Sequence, residues 1–231
     1  MVLTGSFSIG RQMNAIIVSD LHLGSRFFLG LGFERFIKNI SSECDIILNG
    51  DILDNPYEKL NRPHQRILDL IKQTSYKQRV VWVRGNHDNG YIPRDFGTIV
   101  FKRLYSLGHR LLIVHGDDFD KIMPKTQLFI KVFRLMHELR LRLGARPVHV
   151  AHYAKKWSIL YNVLRKNVMV NAVNCAIENG YEAVTCGHTH YPEDRRINGI
   201  RYINTGAWTE SPTYYLLVTD DALTLKKVET G

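Results

Sequence analysis

The chain has 231 residues, 45% of them hydrophobic, with a formal net charge of +9 and three cysteines. That length and apolar content suit one domain with a sizeable core and exclude a low-complexity chain. No apolar run approaches the roughly 20 residues of a membrane-crossing helix, and Cys44, Cys175 and Cys186 are widely spaced with no CxxC pair, which argues against a disulfide framework or a thiolate zinc site and leaves them as reduced packing residues.

The opening MVLTGSFSIGRQMNA has neither the basic start nor the continuous apolar stretch of a secretory signal, so a cytoplasmic protein is expected. The first strand-like run is NAIIVSD (14–20), followed by a helix-like segment at 33–41 and a second run, DIILNGD (45–51). A helix-like segment at 63–74 leads to RVVWVRGNHD (79–88) and then RLLIVHGDD (110–118). The next stretch differs in character. Residues 121–170 hold eleven Lys and Arg against Glu138 alone, +10, which leaves twenty basic and twenty-one acidic residues, −1, for the rest of the chain. Within it, TQLFIKVFRLMHELRLRL (126–143) places Leu128, Val132, Leu135, Leu139 and Leu143, joined by Phe129, Phe133 and Met136, at helical spacing. A further helix is expected over roughly 155–178. EAVTCGHTH (182–190), IRYINTG (200–206), YYLLVTD (214–220) and ALTLKKV (222–228) are strand-like again. Short β-branched runs of this kind suit strands covered on both faces. Alternation with helices early on and close succession later predict a mixed α/β fold with a partly antiparallel second sheet.

The chemistry stands at the ends of these runs. Five of them finish in Asp20 and His22; Asp51; Asn86, His87 and Asp88; His115; and His188 and His190. Loops at the carboxyl ends of strands in open α/β sheets converge on one crevice, so ligands distant in sequence can meet there. Each motif has an ordinary alternative: Asp20 as a helix cap, GNHD as a turn, His115 as a satisfied core histidine, GHTH as a surface loop. Five consecutive strand ends of this composition, in a chain with ten histidines, argue for a shared cluster instead. Carboxylates, imidazoles and one amide without cysteine suit Mn²⁺, Fe²⁺ or Zn²⁺. Seven such ligands exceed the needs of one ion, and two ions roughly 3.5–4 Å apart form a clamp for in-line attack on phosphorus. Glycines beside the ligands, in GD, GN, HG and GH, suit close backbone approach.

The series SDLHLG, NGDILD, GNHD, HGDD and GHTH, spanning positions 19–190, resembles the five-block signature of the calcineurin-like metallophosphoesterases. The resemblance implies a four-layer α-β-β-α sandwich of two mixed sheets flanked by helices, built on a dinuclear centre. By the same resemblance Asp20, His22, Asp51 and His190 hold one ion, Asp51, Asn86, His115 and His188 hold the other, and Asp51 bridges. His87 is then a catalytic residue that stabilises phosphoryl charge and protonates the leaving oxygen, with Asp88 orienting it. Two divalent ions are expected, Mn²⁺ first, with Fe²⁺ or Zn²⁺ as alternatives.

HGDDFD (115–120), GHTHYPEDRRINGIRYINTGAWTES (187–211) and the basic stretch between them are similar to the branch that includes UDP-2,3-diacylglucosamine diphosphatase, a bacterial hydrolase of lipid A biosynthesis, although that branch typically has Arg where this chain has His87. The expectation is one metallophosphoesterase domain over 1–231 with a basic helical cap inserted at about 121–178. That cap would take an amphiphilic nucleotide-lipid and touch the inner membrane peripherally. A core-facing helix is the ordinary alternative for its apolar stripe. A nucleic acid or phosphoprotein substrate and a non-catalytic metal-binding scaffold are the functional alternatives; phosphate-tracking grooves are more polar than this segment, and a scaffold usually loses ligands that this chain keeps.

Overall fold

A computed structural model of the chain describes residues 14–89, 91, 95–122, 135, 139–140, 142–144 and 158–229. Its strands are β1 (Ala15–Val18), β2 (Asp45–Asn49), β3 (Val80–Val83), β4 (Val100–Lys102), β5 (Leu104–Leu107), β6 (Leu111–Val114), β7 (Ala183–Cys186), β8 (Glu193–Ile197), β9 (Ile200–Asn204), β10 (Tyr214–Val218) and β11 (Leu223–Lys227). The helices are α1 (Gly30–Lys38), α2 (Arg62–Ser75) and α3 (Ser158–Glu178), with a short 3₁₀ turn at Asp117–Phe119.

Two sheets form, a six-stranded one in the order β11-β10-β1-β2-β3-β4 and a five-stranded one in the order β5-β6-β7-β9-β8. Both are mixed. In the first, β1, β2, β3 and β4 run parallel while β10 and β11 join antiparallel. In the second, β6, β7 and β9 are parallel and β5 and β8 are antiparallel edges.

The period-2 alternation of a strand explains the layering. Ile16, Val18, Ile46, Leu48, Val80 and Trp82 face outward and bury against Phe33 and Ile37 of α1 and Ile67, Leu68 and Ile71 of α2. Their neighbours Ala15, Ile17, Ile47, Val81 and Val83 face inward onto Leu111, Ile113, Ala183 and Ile203 of the second sheet. On the far side Leu112, Val184, Cys186 and Tyr202 pack against Met169, Ala172, Val173 and Ala176 of α3. The order is helices, sheet, sheet, helix, as the four-layer expectation has it. Local signals start α2 well: Asn61 accepts from the His64 amide at 2.9 Å and Pro63 sits in the first turn.

The helix expected over 155–178 as part of a cap is α3, and its second half is instead the outer layer of the second sheet, because its Met169, Ala172, Val173 and Ala176 fill the third core. Most of the amphipathic stretch 126–143 lies outside the described residues. Leu135, Leu139 and Leu143, which are described, are 65%, 55% and 79% exposed, so at these positions the stripe does not face a core. β4, β5 and β8 were not anticipated; they are short, and their residues are mostly half-exposed or exposed. Among the described residues no helix is long and apolar enough to cross a membrane.

Candidate metal centre

Because β1, β2, β3, β6 and β7 run in parallel registers within their sheets, their carboxyl ends come to one edge of the sandwich. Asp20 and His22 follow β1, Asp51 follows β2, Asn86, His87 and Asp88 follow β3, His115 follows β6, and His188 and His190 follow β7. Backbone bonds lock the loops together: the Asp20 amide donates to the Gly50 carbonyl (3.0 Å), His22 to the Asp51 carbonyl (3.0 Å) and Gly187 to the His115 carbonyl (2.8 Å). The approach is too close for a side chain at three points. A Cβ on Gly50 would lie 2.3 Å from His115 Nδ1, one on Gly85 would lie 2.2 Å from Asp51 Oδ1, and one on Gly187 would lie 2.3 Å from Asp20 Oδ2.

Among the described residues three ligand groups result, each gathering its atoms within 4.8 Å: Asp20, His22 and His190; His22, Asp51 and His87; and Asp20, Asp51 and His115. His115 Nε2 lies 3.2 Å from Asp51 Oδ2, and His190 Nε2 lies 3.2 Å from Asp20 Oδ1. His188 Nδ1 lies 3.0 Å from Asn86 Oδ1. The sequence-predicted ligands therefore converge, with His188 and Asn86 as a pair beside His115, whose ring is 5.5 Å from that of His188.

Outer partners turn three of the imidazoles, His115, His22 and His188. His115 Nδ1 donates to the Asn49 carbonyl at 2.9 Å, which leaves Nε2 facing Asp51. His22 Nδ1 is 2.9 Å from Asp54 Oδ1, which leaves its Nε2 facing His190 Nε2 at 3.1 Å. His188 Nε2 is 3.1 Å from Asp120 Oδ2, which leaves Nδ1 beside the Asn86 oxygen. Outer carboxylates and carbonyls of this kind fix the tautomer of a metal-binding histidine. Asp54 and Asp120 are functional residues that sequence reasoning missed, although each stands inside a motif already singled out, NGDILD and HGDDFD.

His87 is one-third exposed, with its Nδ1 donating to the Asp54 carbonyl at 2.7 Å and its amide donating to Asp51 Oδ1 at 2.9 Å. Asp88 is turned away from it. One carboxylate oxygen of Asp88 accepts from Ile52 N (2.8 Å) and Trp82 Nε1 (3.0 Å), the other from Gly85 N (2.6 Å). The expected orienting role of Asp88 thus passes to Asp54, and Asp88, buried and fully engaged by donors, shapes the loop.

Electrostatics follow from burial and from these pairs. Burial alone would raise the Asp20 carboxyl; His190 beside it offsets this and holds it below the usual carboxylate range. Asp51 goes the same way and further, burial being outweighed by His115. Burial disfavours charge on His115, but Asp51 and Asp20 push its pKa up to about 10. For His22 burial is likewise outweighed by the Asp54 hydrogen bond and by Asp51, and the pKa rises. His190 is lowered by burial and stays a neutral ligand-type imidazole. Asp88 is raised by burial and by the neighbouring Asp51 charge.

These groups fit a divalent cation. His22 Nε2 and His190 Nε2 meet at 3.1 Å, His115 Nε2 meets Asp51 Oδ2 at 3.2 Å, and the buried Asp20 Oδ2 has no hydrogen-bond partner among the described residues. Buried carboxylates, gathered as Asp20 and Asp51 are, need positive charge beside them, which protons on the histidines or a bound cation can supply.

A family profile described as the calcineurin-like phosphoesterase superfamily domain matches residues 13–222. The chain belongs to this superfamily. The chain is 22% identical, over 90% of its length, to the DNA polymerase II small subunit of Methanothermobacter thermautotrophicus, of which it spans 50%. Among solved structures it is similar to Yfce, a phosphoesterase from E. coli, at 14% identity and a TM-score of 0.49, covering 94% of this chain and 100% of that one. A novel archaeal phosphodiesterase matches at 12% identity and a TM-score of 0.47, covering 94% and 99%.

Proposed function

We propose that this phosphoesterase uses two divalent ions, Mn²⁺ first, to hydrolyse a phosphoester or pyrophosphate bond in an amphiphilic anion, a nucleotide-linked glycolipid of the UDP-2,3-diacylglucosamine kind. Asp20, His22, Asp51 and His190 would hold one ion, and Asp51, Asn86, His115 and His188 the other. The ions supply Lewis-acid charge to the phosphoryl oxygens and acidify a water. The chain's own residues do the rest. Asp54 and Asp120 keep His22 and His188 in the ligating orientation. With its Nδ1–H given to the Asp54 carbonyl, His87 has Nε2 as the atom that exchanges a proton with the leaving oxygen.

The observation that carries the substrate class is the exposure of Leu135, Leu139 and Leu143, spaced four apart, in the segment that holds all the excess positive charge. An apolar row flanked by cations suits an acyl chain with a phosphate head, and also a peripheral contact with the anionic inner membrane. Replacing Leu135 and Leu139 together by Ser removes the apolar row at exposed positions, where folding is little affected. Turnover of UDP-2,3-diacylglucosamine should fall far more than that of bis-p-nitrophenyl phosphate. Equal losses on both, or no hydrolysis of the lipid by the unaltered protein, would remove the lipid assignment and leave the dimetal hydrolase standing.

A nucleic acid substrate is the second reading, favoured by the local charge of +10 and by the likeness to a DNA polymerase small subunit. It requires steep salt dependence and indifference to detergent, the reverse of the lipid case.

A further inference from the structure

His188 and His190 come from one short segment and both sit in left-handed backbone, with φ of 62° and 54°. A residue with a Cβ keeps such a conformation only where its surroundings hold it. On one side the holder is Asn204, whose Nδ2 donates to the Gly187 carbonyl (2.7 Å) and to Thr189 Oγ1 (3.1 Å). On the other side it is α3. The Tyr161 hydroxyl donates to the carbonyl of Thr189, the residue between the two imidazoles. One turn later Arg165 Nε pairs with Glu193 Oε2 at 3.2 Å, and its guanidinium lies 3.8 Å from the centre of the Tyr191 ring.

Residues 161 and 165 share a helix face. The same stripe continues through Val168, Met169, Ala172, Val173 and Ala176, all buried against the second sheet. Polar residues thus enter the stripe where the helix passes the ligand segment, and apolar ones where it covers the strands. Packing alone would be served by apolar residues throughout, since burying a hydroxyl or a guanidinium costs free energy unless a fixed partner meets it. The next turns of α3 hold the other side of His188: Asn167 Oδ1 accepts from the Lys121 amide (3.0 Å) and Asn171 Nδ2 donates to the Phe119 carbonyl (2.8 Å), flanking the Asp120 that meets His188.

We propose that Tyr161 is a positioning residue of the metal centre, supported by Arg165. Its hydroxyl fixes the peptide between His188 and His190 so that the two imidazoles, assigned to different ions, are held in register. This rests on the dinuclear reading above. The test is Tyr161→Phe, which removes one oxygen and keeps the ring, with Arg165→Gln as a second variant. Co²⁺ is titrated into metal-free protein against a competing chelator, and the visible spectrum of the bound ion is recorded alongside the melting temperature of the metal-free form. Affinity should fall about ten- to a hundredfold, as for other outer partners of metal ligands, and the spectrum should change, with little change in the metal-free melting temperature. Unchanged affinity and spectrum in both variants would overturn the role, as would a drop in metal-free melting temperature with affinity and spectrum intact. If the unaltered protein takes up no Co²⁺, the dinuclear reading fails first and this inference with it.

Discussion

Replacing Asp51 by Asn tests the bridge with the least disturbance of shape. Asp51 is buried, with Oδ1 accepting the His87 amide at 2.9 Å and Oδ2 placed 3.2 Å from His115 Nε2 and 4.0 Å from His22 Nε2. The amide oxygen of Asn can keep the first contact, and its NH₂ can face a neutral His115, so the fold should persist. What is lost is one negative charge shared by both halves of the centre. Removing one partner of a buried charge pair costs about 3–5 kcal/mol, which corresponds to about 10² to 10³ or more in metal affinity. The assay is metal content by mass spectrometry after dialysis against a chelator, together with turnover of bis-p-nitrophenyl phosphate. Both should fall together, and the pKa of His115, no longer raised by Asp51, should drop from its position near 10 towards the ordinary imidazole value. Two tightly held ions and near-normal turnover in the variant would refute the shared-carboxylate assignment.

Two further outcomes are expected. His87→Ala should leave metal content intact and lower turnover by about 10² to 10⁴, the span of a lost general acid; loss of metal would instead make His87 a ligand, which its place in the group with His22 and Asp51 makes a real contest. Metal binding should release protons at pH 7, because in the metal-free site His115, raised to about 10, is protonated there and must lose the proton to ligate, and the upward shift of His22 acts in the same direction. The sign follows: metal affinity should rise with pH from neutrality until about 10, and calorimetry in buffers of different ionisation enthalpy should count the protons; pH-independent affinity with no proton release would contradict the pairing of these histidines with Asp51 and Asp54.

Much of this centre could be read from the chain because strand and ligand are written in contrasting residue types. AIIV, DIILN, VVWV and LLIV are buried runs that give way to Asp, Asn or His, and parallel strands bring such ends to one edge. What the chain order conceals is direction. Asp88 is adjacent to His87 and looked like its orienting partner, yet it faces the fold and binds the Ile52, Gly85 and Trp82 donors, while Asp54, distant in sequence, reaches both His22 and His87. Asp54 and Asp120 escaped notice for the same reason, since a carboxylate three or more residues past a ligand turns back toward the cluster only if the intervening loop curls. β4, β5 and β8 lack the buried runs that announce a strand. α3 mixes a sheet-facing stripe with charged residues, and counting charge placed it in a cap when the buried stripe puts half of it on the second sheet.

The backbone of the ligand loops adds a constraint that composition hides. Asp20, His22, Asp51, His188 and His190 all have φ between 52° and 62°. Outside glycine, that region is best tolerated by Asn, Asp and His, the residue types that ligate a divalent ion without sulfur. One choice of residue therefore satisfies the sharp turn at the strand end and the chemistry at its tip. A β-branched residue at any of these five positions would lose on both counts, while a substitution that keeps the turn, such as Asp51→Asn, isolates the chemistry. The same reasoning ranks the supports. Ligands held in unfavourable backbone depend on what clamps the loop, so Gly50 and Gly187, which admit the His115 and Asp20 side chains, and Tyr161, which holds the Thr189 carbonyl, belong to the centre although none of them touches an ion.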